Sequence, residues 1–205
     1  MSRIPTPATI ETAPVASQPL LQAVKKQLGV VPNLFRIVST SPAALEGYLG
    51  LSNALGKGKL SAPTRERIAL TVAEINGCSY CLSAHTYLGK NLAKLDDAEM
   101  EANRRGESSD PMADAAVRFA AKVVRQRGHV TESDVGALKM AGYDDAQLIE
   151  IVMHVALNTW TNYINEVAQT EIDFPVVAVR TASDFGSVNR QCLACKHRSA
   201  PPNAV

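Results

Sequence analysis

Apolar residues recur three and four positions apart along most of the chain, and glycines, prolines and capping residues cut that pattern into short helices. Leu20, Leu21, Val24 and Leu28 mark a first amphipathic stretch, closed by Gly29. Pro32 suits the start of a second short helix carrying Leu34, Phe35, Ile37 and Val38. Ser41-Pro42 opens a third, with Leu45, Tyr48, Leu49, Leu51 and Leu55 in helical register until Gly56-Lys57-Gly58. Thr64, behind Pro63, reads as the N-cap of a fourth helix, whose apolar residues are Ile68, Leu70, Val72, Ala73 and Ile75. Asn76-Gly77 supplies a left-handed exit from it, and a fifth helix starts near Cys78.

The second half follows the same rule. Asp96-Asp97 begins a polar helix that runs to Arg105-Gly106, and residues 107–111 form a loop. Residues 112–127 place Ala116, Phe119, Ala120, Val123 and Val124 on one stripe and end in arginines before Gly128, as a helix C-terminus should. Thr131-Glu132-Ser133-Asp134 is a capping signature for the next helix, which Gly142 ends. Asp144-Asp145 starts the longest one, residues 146–171, apolar around much of its circumference and so expected at the centre of the fold or between subunits. Residues 176–179 carry the one weak strand signal. The pattern predicts an all-α protein: an extended arm over residues 1–19, a helical domain over 20–179, and a flexible tail over 180–205.

Composition narrows the function classes. At 205 residues the chain can bury a sizeable core, and 46% hydrophobic with 20% charged residues is ordinary for a globular domain. With 21 basic against 20 acidic side chains, the formal charge of +1 gives no electrostatic case for nucleic acid or an anionic membrane. The N-terminus has no basic start followed by an apolar core, and no run is long enough to span a bilayer, so the expected location is cytoplasmic. The four cysteines fall in two CxxC pairs, which in a reducing compartment point to catalysis or metal binding rather than structural disulfides.

The first pair carries the chemistry. Cys78, Cys81 and His85 stand at i, i+3 and i+7. At roughly 100° per residue these positions fall within about 60° of one another around a helix axis. Thiols in a first turn meet unpaired N–H groups and the positive end of the helix dipole, which lowers a thiol pKa. If the fourth and fifth helices fold back at Asn76-Gly77, the ten residues from Glu66 rise about 15 Å and the seven from Cys78 to His85 about 10 Å. Antiparallel packing then returns Glu66 to His85, where a carboxylate can orient the ring and raise its basicity.

The pattern Glu66, Cys78-Ser79-Tyr80-Cys81 and His85 resembles the motif of AhpD-like alkyl hydroperoxidases within the carboxymuconolactone decarboxylase superfamily. The stretch Val31-Pro32-Asn33-Leu34-Phe35-Arg36 and the segment from Asn158 to Asn165 are similar to the peroxidase-related branch, so the resemblance covers roughly residues 25–175. It implies a helical fold built around the antiparallel pair that carries the CxxC motif. It also implies that Cys81 attacks a hydroperoxide, that Cys78 resolves the product to a disulfide, and that Glu66 and His85 relay the proton. Electrons would come from an external dithiol of thioredoxin or lipoyl type, and the subunits would form a homo-oligomer, as a dimer, trimer or hexamer. Tyr80 stands where AhpD has a histidine. No flavin, nicotinamide or metal motif appears, so no cofactor is expected.

Other readings stay open at this point. The thiols can be buried structural residues beside a core histidine, or zinc ligands with His85 and Glu66. The chain can be a lactone-acid decarboxylase, whose chemistry does not call for two cysteines, or a non-catalytic metal-binding or redox-sensing module. Tyr80 is expected to pack or to shape the pocket, and His154 to be a satisfied core or interface histidine. Asn158, Asn162, Asn165 and Glu166 form a polar stripe, expected to bond between helices rather than to line a cleft. In the tail, Cys192, Cys195 and His197 are expected to be exposed groups of an accessory segment, with a dithiol arm or a partial metal site as the alternatives.

Overall fold

A computed structural model of the protein describes residues 2–180. Among them are nine α-helices and no strand. They are α1 (Gln18–Leu28), α2 (Asn33–Val38), α3 (Pro42–Gly56), α4 (Ala62–Ile75), α5 (Ser79–Asn91), α6 (Asp97–Arg105), α7 (Pro111–Arg125), α8 (Glu132–Met140) and α9 (Asp145–Ala168). The tail residues Cys192, Cys195 and His197 lie outside the described residues. Among the described residues no helix is long and apolar enough to cross a membrane.

The caps account for most helix starts. Ser41, Asp96 and Asp110 each accept a backbone N–H from the first turn of the helix that follows. Thr131 and Asp144 do so within reciprocal capping boxes. One start differs from expectation: Ser61, not Thr64, caps α4, its Oγ accepting the Thr64 N–H at 3.2 Å. Pro63 is compatible with a first helical turn, where its missing N–H costs nothing, so the helix begins ahead of it.

The central element is α4, not the longer α9. It packs against α5, α6, α7 and α9. Ile68 and Val72 face a cluster with Ala116, Phe119, Ala120, Leu138 and Ile151, whereas Leu70 and Ala73 join a second with Leu21, Leu45, Tyr80 and Leu82. Full burial of a side chain such as Ile68 or Leu70 stabilises by roughly 1.5–3 kcal/mol. In contrast, α9 buries Ile151, Val155, Asn158, Asn162 and Asn165 along one face and exposes Ile149, Trp160, Tyr163 and Val167 on the other.

Both ends of the described chain lie against the helices. Near the N-terminus the Ser2 hydroxyl and the Arg3 N–H donate to the Ala168 carbonyl, Ala13 joins the core, and residues Val15–Ser17 form a 3-10 turn. Residues 176–179 form no strand, and this stretch is held by side chains instead. Val177 N–H donates to Ser83 Oγ at 2.9 Å, Arg104 to the Ala178 carbonyl at 2.9 Å, and Arg180 N–H to Glu74 Oε1 at 2.7 Å.

Glu99 is the main buried ionic hub. Its carboxylate accepts hydrogen bonds from Arg67, Asn103, Ser108 and Ser109. Burial opposes its charge, yet the bonds from Ser108, Ser109 and Asn103 outweigh that and hold its pKa well below the usual carboxylate range. Because the folded pKa lies below the unfolded one, this stabilisation is present above the unfolded pKa and is lost as pH falls through the folded value. Glu99→Gln is expected to destabilise the protein by roughly 1–3 kcal/mol by removing the counter-charge of the half-buried Arg67 and weakening the bonds from Ser108, Ser109 and Asn103. Denaturant unfolding at pH 7 measures the loss; a change under about 1 kcal/mol would remove Glu99 from this role.

Candidate functional site

The turn between α4 and α5 builds the site. Gly77, at φ 72°, lets the chain leave α4 in the left-handed region. The Gly77 N–H then bonds the Glu74 carbonyl and the Cys78 N–H bonds the Ala73 carbonyl, the paired closure of a Schellman motif. Cys78 has extended backbone angles and is the N-cap of α5, its Sγ accepting the Cys81 N–H at 3.3 Å. The expectation of Cys78 on the helical stripe is thus corrected: it sits one step ahead of the helix and reaches Cys81 as a cap. Both cysteines are free thiols, 0% and 3% exposed.

His85, two turns into α5, meets Glu66 of α4 at 2.8 Å between Nδ1 and Oε2. The antiparallel return predicted from helix rise is present. These two side chains are 21% and 22% exposed, so the pair is partly open while the sulfurs are covered. Burial pulls the His85 pKa down, but the charge and hydrogen bond of Glu66, with Cys81 and Asn158, raise it above its ordinary value.

The two thiols diverge. A hydrogen bond from Cys78 is the largest cause lowering Cys81, against burial, and His85, Asn162 and Asn165 lower it further, to about 6. Cys78, which donates that bond and is itself buried, is pushed far up. The shifts run in opposite directions, so negative charge is favoured on Cys81 over Cys78.

α9 supplies a wall to the site, a role beyond the interhelix bonding expected of its polar stripe. Asn165 Nδ2 donates to Cys81 Sγ at 3.2 Å. Asn162 Oδ1 accepts from Asn76 at 2.9 Å, an interhelix bond of the kind expected, but the same side chain lies near enough to Cys81 to lower its pKa. The stripe lines the site as well as joining helices; its spacing of four and three on an otherwise apolar helix is the signal the sequence carries for this. His154 is buried, and its Nε2 has no hydrogen-bond partner among the described residues, contrary to the expected satisfied histidine. Burial and the charge of Arg65 push its pKa down to about 4, so it is neutral at pH 7.

Tyr80 is committed to the scaffold. Its hydroxyl accepts from the Leu34 N–H at 3.0 Å and donates to Asp173 Oδ1 at 2.9 Å. Tyr48, whose spacing marks it only as a core residue, stands beside the chemistry instead. Burial raises its pKa, and charge on Cys81 and Glu66 raises it further. Tyr48 also lines a cleft of about 310 Å³ between α3 and α9, with Ala43, Gly47, Leu51, Leu157 and Trp160. Tyr48 is the one residue of this groove whose ionisation also feels Cys81 and Glu66. Among the described residues no group of three or more His, Cys, Asp or Glu side chains is disposed to hold a metal ion.

Comparison places this geometry among known proteins. Residues 42–126 match the model of the Carboxymuconolactone decarboxylase family. The chain is similar to an uncharacterized peroxidase-related protein from Ralstonia eutropha JMP134, described as an alkylhydroperoxidase AhpD core. The two share 24% identity over 84% of this chain and 92% of that one, with a TM-score of 0.76. An uncharacterized peroxidase-related protein from Silicibacter sp. TM1040 shares 26% identity over 83% and 94% of the two chains, with a TM-score of 0.71. The debrominase Bmp8, solved with 2,3,4-tribromopyrrole, has the same fold at 19% identity over 93% and 99%, with a TM-score of 0.71. No curated protein matches the chain. Residues 42–126 thus match the Carboxymuconolactone decarboxylase family model, and the chain is similar in fold to these all-helical, peroxidase-related neighbours.

Proposed function

We propose that the protein is a thiol-dependent hydroperoxide reductase in which Cys81 attacks and Cys78 resolves. The observation that carries this reading is the geometry at the two sulfurs: Cys78 Sγ accepts the Cys81 N–H at 3.3 Å, Asn165 donates to Cys81 Sγ at 3.2 Å, and His85 on the same helix pairs with Glu66 at 2.8 Å, an environment that lowers the Cys81 pKa and raises that of Cys78. The Cys81 thiolate attacks the terminal oxygen of a hydroperoxide; the O–O bond breaks, and the alkoxide takes a proton from the His85 imidazolium. Cys81 becomes a sulfenic acid. Cys78 then displaces water from it to form the disulfide. An external dithiol of thioredoxin or lipoyl type returns two electrons and two protons.

The groove beside Tyr48 supports an organic rather than an inorganic peroxide, since its lining is apolar. Decarboxylation uses neither the split thiol pair nor the resolving cysteine, which favours the redox reading. A cytoplasmic, homo-oligomeric protein belongs to the same proposal, and the exposed apolar stripe of Ile149, Trp160, Tyr163 and Val167 supports subunit contact. Sedimentation of wild type against a Tyr163→Glu, Val167→Glu double variant tests that contact; a monomeric wild type would exclude it.

The decisive experiment is a thiol count on the full chain with Cys192→Ser and Cys195→Ser, which leaves only Cys78 and Cys81. One equivalent of cumene hydroperoxide is expected to remove both thiols and to yield cumyl alcohol. Unchanged thiols would refute the proposal.

A further inference from the structure

Two buried polar atoms beside Cys81 have no partner among the described residues: Nδ2 of Asn162 and Oδ1 of Asn165. Both side chains are almost wholly buried, at 0% and 2% exposed. Their orientations are set by the contacts they do make. Asn76 Nδ2 donates to Asn162 Oδ1 at 2.9 Å, which leaves the Asn162 amide nitrogen as the free group. Asn165 Nδ2 donates to Cys81 Sγ at 3.2 Å, which leaves its carbonyl oxygen free. Turning Asn165 over would set that oxygen against a thiolate, and turning Asn162 over would set two amide N–H groups against each other. Asn162 also lies close enough to Cys81 for its amide to lower the thiol pKa, so both side chains border the sulfur and each keeps one polar atom without a full hydrogen bond among the described residues.

We infer that Asn162 and Asn165 form a binding cradle for a single O–H group at Cys81, first the terminal O–H of a hydroperoxide and then the hydroxyl of the sulfenic acid. A hydroxyl offers one proton and accepts through its lone pairs, so it satisfies the Asn165 oxygen and the Asn162 N–H together. The Asn165 N–H on the sulfur meanwhile holds the negative charge that attack consumes. Buried amides left unpaired are costly in a resting protein, and an arriving O–H group removes that cost. The inference rests on the hydroperoxide reading for the identity of the O–H group. The amide contact to the sulfur is independent of it.

Wild-type protein allows a test without substitution of either asparagine. The side-chain amide resonances of Asn162 and Asn165 are expected to follow the Cys81 titration in an NMR pH series, and to lose that response in Cys81→Ser. In the chain with Cys192→Ser and Cys195→Ser, Asn165→Asp is expected to move the midpoint for Cys81 alkylation by iodoacetamide upward by at least about one pH unit, a tenfold loss of reactivity on the low-pH limb. Asn162→Asp is expected to slow sulfenic acid formation by cumene hydroperoxide at saturating thiolate by about tenfold or more, the loss of one hydrogen bond to a charged or reacting group. Thermal unfolding of each variant shows whether the fold is kept. Amide resonances that ignore the Cys81 titration would overturn the cradle, as would folded variants with wild-type profiles. If the amides respond and Asn165→Asp shifts alkylation while wild type consumes no peroxide, the contact to the sulfur stands and the hydroperoxide assignment falls. Peroxide consumption with silent amides does the opposite: the hydroperoxide assignment stands and the cradle falls.

Discussion

Cys81→Ser is expected to reduce peroxide consumption to the background rate of free thiols, the largest effect of any substitution in the chain. A serine hydroxyl at this position stays protonated at pH 7, while the bond from Cys78 and the neighbours His85, Asn162 and Asn165 lower the pKa of the sulfur it replaces to about 6. The same variant leaves Cys78 in place, buried and with its pKa raised, so the remaining sulfur cannot substitute as the nucleophile. Cys78 variants separate two roles. Cys78→Ser keeps a hydroxyl donor near Cys81, so the first attack proceeds and stops after one equivalent, with a sulfenic acid that dimedone traps. Cys78→Ala removes the donor as well, and the Cys81 alkylation midpoint is then expected to rise from about 6 toward the ordinary thiol range. Equal peroxide consumption by wild type and Cys81→Ser would end the thiolate mechanism.

Glu66→Gln is expected to lower the peroxide rate by about 100-fold, at the lower end for loss of a positioned acid-base group. The sign of its pH dependence follows from the shifts. Activity rises with pH as Cys81 ionises near 6, and falls again as His85, its pKa raised by Glu66, loses the proton that the departing alkoxide needs. Without the carboxylate, His85 loses its main source of positive stabilisation while its burial remains. The descending limb should therefore move to lower pH, and the ascending limb should move up as Cys81 loses a neighbouring cation. His85→Ala is expected to remove the descending limb altogether. Stopped-flow rates with cumene hydroperoxide from about pH 5 to about pH 9 cover both limbs; limbs that stay fixed in Glu66→Gln would detach the carboxylate from the reaction.

Helix boundaries are legible in the sequence where one residue type carries one physical job. Gly77 and Gly106 end helices at positive φ, and Thr131 and Asp144 cap theirs in reciprocal boxes, all local events that a short window contains. The Glu66–His85 contact is legible too, because helix rise alone fixes how far each arm travels from Asn76-Gly77. Thr64 misleads because neighbouring hydroxyl residues can each precede a first turn, and only the backbone decides for Ser61. Residues 176–179 have strand composition, but whether extended backbone finds another strand or the side chains of Ser83 and Glu74 is a tertiary matter.

The asparagines and Tyr48 are hidden for a related reason. Asn165 approaches Cys81 from 84 positions away in sequence, and Tyr48 from a different helix again, so the spacing of the asparagines marks a polar stripe without saying which residue it faces. The apolar excess of α9 suggests a helix at the centre of the fold or between subunits, and the outward-facing stripe from Ile149 to Val167 rules out full burial within the single chain. α4, shorter and with a mixed composition, is the buried one because packing surrounds it on every side.

Because α4 is a party to both apolar clusters, neither can loosen without disturbing it. Its middle amides should be among the last in the protein to exchange with deuterium, close to the global unfolding limit, while the α9 outer face and the chain ends exchange through local opening. Glu66 rides near the start of that slow segment. The backbone that carries the carboxylate is thus expected to hold its position beside the imidazole while the outer helices open locally.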